Sequence, residues 1–134
     1  MAVSFLLRWG IDKPLFRIQV AKEKVDIIGV YRSQGRNEMD LIDELEELVD
    51  QTKMTVIGGD MNICALAQPN NQVARSLRAM GFKQIVTEAT HIDGGIIDHI
   101  YISQGVEIRF DWILEYFPKY YSDHDGLGLT MWKV

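Results

Sequence analysis

The sequence predicts an α/β chain of the α+β sandwich kind: one mixed, mostly antiparallel sheet carrying two helices. Three observations predict it. Most of the chain reads as short β-branched or alternating apolar runs, two stretches switch to helical spacing, and no repeat or low-complexity linker divides the 134 residues. A chain of this length favours one domain with a modest core, so residues 1–134 read as a single domain.

Taken in order, "VSFLLRWGI" and "LFRIQVA" read as strands joined by the tight turn "DKP". "KVDIIGVYRS" is a stronger strand, β-branched and bounded by the polar "QGRN". From Asn37 the period changes. Met39, Leu41, Ile42, Leu45, Leu48 and Val49 recur at helical spacing, Asn37 is the N-cap, and the acidic "DELEE" reads as a solvated face. "MTVIGGDMN" is a buried strand ending in a glycine pair and polar residues. "NNQVARSLRAMGF" gives a second helix with Gly81 at its C-terminal cap. "KQIVTEAT" and "GIIDHIYIS" are strands separated by the turn "HIDGG"; "VEIRFDWILEYF" and "GLGLTMWKV" complete the set. Helices on one face leave the other face of the sheet in need of a partner layer.

Composition bounds the function. The hydrophobic share of 47% and charged share of 25% are those of a globular chain. No apolar run approaches the ~20 residues that span a bilayer, and the first residues acquire charge too early for a secretory signal. Cys64 is the only cysteine, which rules out an intrachain disulfide and favours a reducing, intracellular setting, nucleus or cytoplasm. The net charge of −5 disfavours a protein that binds nucleic acid by basic patches alone, yet suits one whose site concentrates carboxylates around a cation.

Three stretches place polar groups where an apolar strand ends or turns: "GGDMN" with Asp60 and Asn62, "IIDHIYIS" with Asp98 and His99, and "YYSDHDGL" with Ser122, Asp123 and His124. Loops leaving strand ends are where sites are assembled, because the strands fix their positions. On an extended strand Asp60 and Asn62, two apart, face one ligand, the carboxylate for a cation or proton and the amide for a phosphoryl oxygen. Asp123 offers a metal-directed oxygen beside a titratable imidazole, and Asp98 is placed to hydrogen-bond the His124 ring and hold its tautomer.

In that order, "GGDMN", "IDHIYIS" and "SDHDGL" resemble the endonuclease/exonuclease/phosphatase superfamily, which includes abasic-site repair endonucleases, the DNase I type and LINE-type retroelement endonucleases. The retroelement branch is the nearest in look, over nearly the whole chain. The resemblance implies a DNase I-like four-layer fold, of which this chain is the second half, and phosphodiester hydrolysis with Mg²⁺ or Mn²⁺. It implies that Tyr31 contacts phosphate, Asp60 orients the attacking water, Asn62 contacts phosphate, Asp98 supports the histidine, Asp123 assists the metal and His124 stabilises the transferring phosphoryl group. The family's first half supplies an asparagine and a metal-binding glutamate, and nothing before Tyr31 matches them; Glu23, in "AKEKV", is the only glutamate there. The metal site is therefore read as incomplete, to be completed by a missing N-terminal half or an oligomer.

Around this set, Arg32 and Arg36 are candidate phosphate-backbone contacts, Thr90 a donor to phosphate, and His91 a neighbour of the cleft. One side of "FDWILEYFPKYY" packs as core and the other stands open to stack bases. A zinc set from Cys64, His91, His99 and His124 lacks close ligand spacing. The predicted activity is DNA endonuclease-like. The rival is a non-catalytic remnant that binds nucleic acid or protein: the absent glutamate favours the remnant, and the intact Asp60, Asn62, Asp98, Asp123 and His124 favour the enzyme. Hydrolysis of a lipid or inositol phosphate ranks below DNA.

Overall fold

The computed structural model describes residues 2–9, 14–20, 24–117 and 123–134, the first two segments as backbone. Ser122, Glu23, most of the "DKP" turn and residues 118–121 of the aromatic run lie outside the described residues. The strands are β1 (Ala2–Trp9), β2 (Pro14–Val20), β3 (Val25–Tyr31), β4 (Met54–Asp60), β5 (Phe82–Gln84), β6 (Asp98–Ser103), β7 (Phe110–Phe117) and β8 (Gly126–Lys133). The helices are α1 (Glu38–Leu48), α2 (Gln72–Ala79) and α3 (Gln104–Arg109).

The α/β sandwich class holds, but the expected single sheet with two helices is corrected: the described residues form two four-stranded sheets and three helices. The first sheet runs β2-β1-β8-β7 and the second β3-β4-β6-β5. Among the described strands only β3 and β4 pair in parallel; the other pairs are antiparallel. A strand with one buried face alternates alike whether its partner layer is helix or sheet, so periodicity could not count the sheets. Val56, Ile100 and Ile102 of the second sheet meet Phe110, Leu127, Leu129 and Met131 of the first in one buried cluster. On the other side of the second sheet, Val30, Ile57 and Tyr101 pack against Leu41, Ile42 and Leu45 of α1 and Val73 and Leu77 of α2. The sheet that carries the helices is therefore covered on both faces. Among the described elements it is the first sheet that keeps an open outer face, where Ile113, Phe117 and Trp132 stand exposed.

Local chemistry explains the elements. Asn37 caps α1 by accepting from the Met39 N–H at 2.8 Å, and Asn71 caps α2 through the Ala74 N–H at 2.8 Å. Burying Leu41, Ile42 and Leu45 supplies roughly 1.5–3 kcal/mol each, while the acidic face stays in water. Gly81, at φ +90°, ends α2 in the left-handed conformation.

Two predicted strands come out differently. "KQIVTEAT" contributes only its first residues to β5, because the Gln84 side chain takes both the N–H and the carbonyl of Val86 and ends the ladder. In "VEIRFDWILEYF" the first four residues belong to α3. Val106 goes to the core and Ile108 to solvent there, and β7 starts at Phe110 with the alternation expected of its inner face.

Candidate active site

Asp60 is the last residue of β4 and Asp98 the first of β6, and the two are directly paired across the ladder. Paired residues project to the same side, so two carboxylates stand together at the mouth of the space between the sheets. Both are buried, at 2% and 0% exposure. Such like charges repel, and the third side chain answers them. His124 arrives from the segment before β8, with Nδ1 at 2.8 Å from Asp98 Oδ2 and Nε2 at 4.0 Å from Asp60 Oδ2. The expected approach of Asp60, Asp98 and His124 is thus present as geometry.

The environment shifts these groups. Burial first, and then the charge of Asp98, push the Asp60 carboxyl up to about 6 against the pull of the Asn62 N–H. Burial alone would lower the His124 imidazole, but the hydrogen bond and charge of Asp98, with Asp60 and Asp123, outweigh it and raise it above its ordinary value. With Nδ1–H donated to Asp98, Nε2 faces Asp60 across a gap too wide for a direct hydrogen bond and suited to a bridging oxygen. The donor atoms of the three residues lie within 4.8 Å of one another. Two buried carboxylates and an imidazole match the oxygen and nitrogen donors of divalent-cation sites, and their mutual repulsion is charge that a cation relieves.

The remaining predicted residues divide. Tyr31 is paired with Asp60 in the parallel ladder, so it projects to the same side, 51% exposed at the mouth. Asn62 is not on an extended strand, which corrects the two-residue spacing argument. At φ +50° it sits in a turn whose N–H donates to Asp60 Oδ1 at 2.8 Å, while its Nδ2 donates to the Arg32 carbonyl at 2.5 Å. Asp123 is exposed beside the cluster and outside its ligand group; its carbonyl accepts from the Ile92 N–H.

Arg32 spends its guanidinium on the carbonyls of Met61, Asn62 and Arg36, and Arg36 pairs with Glu44. Thr90 is fully buried, with Oγ1 accepting from the N–H groups of Ile97 and Asp98 at 3.2 Å each. It steadies the backbone that delivers Asp98. His91 bridges to His124 and meets its ring edge-on at 5.0 Å, while its Nδ1 lies 3.0 Å from Asp93. Sequence reasoning missed Asp93 and the inward turn of Thr90, because nothing local in "ATHIDGG" shows which way a hydroxyl points.

Comparison with known proteins bears on the fold. No protein-family model matches the sequence, and no curated protein does. Among solved structures the chain is similar to the endonuclease domain of TRAS1, a telomere-specific non-LTR retrotransposon. The TM-score is 0.67 and the identity 12%, over 87% of this chain and 59% of that one. It is also similar to an AP endonuclease from Archaeoglobus fulgidus, with TM-score 0.60 and 20% identity over 92% of this chain and 69% of the other. The chain therefore shares the fold of these two endonuclease structures over most of its length, and it spans 59% of the TRAS1 domain's length. Among the described residues no helix is long and apolar enough to cross a membrane.

Proposed function

We propose that this chain carries the phosphoryl-transfer half of a metal-dependent phosphodiesterase acting on DNA in the manner of a retroelement endonuclease. The observation that carries the reading is the triad-like line Asp98–His124–Asp60, with the imidazole held between two buried carboxylates at the mouth of the sandwich. Asp60 orients the attacking water and takes its proton. His124, kept cationic by Asp98, donates from Nε2 to a phosphoryl oxygen as negative charge develops there. Asn62 and Arg32 brace the turn behind Asp60, and Tyr31 lines the phosphate path. Asp60 and Asp98, with Asp123 near by, would hold the cation, Mg²⁺ or Mn²⁺; when bound it supplies charge neutralisation for the phosphodiester. Residues 1–134 act as one domain that a further segment or a second subunit completes.

The test is nicking of supercoiled plasmid with Mg²⁺ or Mn²⁺ by the wild type and by His124→Ala. Loss of nicking in the variant supports the assignment, and equal nicking by both sinks it. The second reading, a binding module without catalysis, is favoured by the short coverage of the TRAS1 domain. Plasmid retention without nicking by either protein, in either metal, would select it.

A further inference from the structure

The side chains of β6 divide between the two faces of the second sheet. Asp98, Ile100 and Ile102 face the first sheet, while His99 and Tyr101 lie on the helix side. His99 is 1% exposed and makes three polar contacts: Nε2 to the Ile63 carbonyl at 2.9 Å, Nε2 to the Ile96 carbonyl at 3.0 Å, and Nδ1 to the Tyr101 hydroxyl at 3.2 Å. Two carbonyls can only accept, so the proton is on Nε2, and Nδ1 accepts from the Tyr101 O–H. Ile63 closes the turn that begins at Asp60; Ile96 opens the segment that ends at Asp98. The same two segments are tied by Met61 N–H to the Ile97 carbonyl and Ala65 N–H to the Ile96 carbonyl, both at 2.9 Å. The Ile96 carbonyl thus collects donors from both sides.

We infer that His99 is a positioning residue: from the face of the sheet opposite the site, its ring locks the Asp60–Asn62 turn to the segment delivering Asp98 and so sets the spacing of the two carboxylates. A histidine that only filled the core would need no such convergence on one end of each loop. The catalytic consequence rests on the function proposed above; the locking itself does not.

The experiment uses the full chain and reads amide hydrogen exchange together with plasmid nicking. In His99→Leu, which keeps bulk and removes the polar contacts, the Met61 and Ala65 amides exchange about tenfold faster, while those of Ile57 and Ile102 keep their protection. The apparent kcat falls on the order of 10²-fold with KM unchanged, the effect of a small displacement at the reacting centre. His99→Gln, whose amide can still donate to the two carbonyls, restores most of both, and Tyr101→Phe lies between. Unchanged exchange at Met61 and Ala65, or an equal rise at every amide, overturns the inference. Should the leucine variant not fold, failure of His99→Gln and Tyr101→Phe to separate at Met61 and Ala65 overturns it equally. Absence of wild-type nicking would remove the nuclease reading and leave the exchange result to decide the lock.

Discussion

At the scale of single residues, the site is a problem in charge, and its behaviour with pH follows. Asp60 has a folded-state value of about 6, above its unfolded value, so between the two the folded chain holds more protons than the unfolded one. Stability therefore falls as pH rises across that window. His124 is also raised, and the stability it adds at low pH is lost as pH passes its folded value. Both signs agree: in chelator, Tm is expected to fall from about pH 5 to about pH 7, and Asp60→Asn should flatten that slope. Divalent cation added at neutral pH should recover Tm in the wild type and little in Asp60→Asn. The lowered carboxylates Asp50 and Asp93 act with the opposite sign, but only as pH falls below the ordinary carboxylate range. Asp98→Asn removes the charge that sustains the imidazolium. The His124 ring, followed by NMR, should then titrate lower, with nicking down roughly 10²–10⁴-fold. An unmoved His124 titration would remove the electrostatic role of Asp98.

At the scale of elements, the strand ends hold the site in place. Gly59 precedes Asp60 with φ +151°, and a Cβ there would stand 1.8 Å from the Val30 carbonyl oxygen on the neighbouring strand. Gly59→Ala must separate β3 from β4 just where Tyr31 and Asp60 are paired; a loss of about 3 kcal/mol or more in urea unfolding is expected. Thr90 offers a finer probe. Thr90→Val keeps the shape and strands the N–H groups of Ile97 and Asp98, at a cost of roughly 1–3 kcal/mol, whereas Thr90→Ser should retain most of the stability. If valine left unfolding unchanged and weakened only DNA binding, the hydroxyl would belong to phosphate instead.

At the scale of the molecule, the described residues sandwich the second sheet and cover one face of the first. Ile113, Phe117 and Trp132 on its outer face form apolar surface of the kind that drives association. Sedimentation of the isolated chain is expected to show mass rising with concentration, and Ile113→Glu with Trp132→Glu should hold it at the monomer. A monomeric wild type at all concentrations would mean that this face tolerates water as it is.

Much of this was legible beforehand because it is local. The helical spacing from Met39, the Asn37 cap and the glycine after α2 each depend on neighbours a few residues away, and each appears where the pattern put it, as do most of the β-branched runs. The order of the three polar stretches pointed to a fold shared with solved endonuclease structures, and the side chains of Asp60, Asp98 and His124 do lie together. Only the tertiary structure decided that there are two sheets, that Asp98 and Asp60 are ladder partners, and that Arg32 and Thr90 spend their polar groups on backbone. The physical reason is range. A period of two or 3.6 residues is written into consecutive side chains, whereas the partner of a carboxylate 26 or more positions away is chosen by how whole sheets pack.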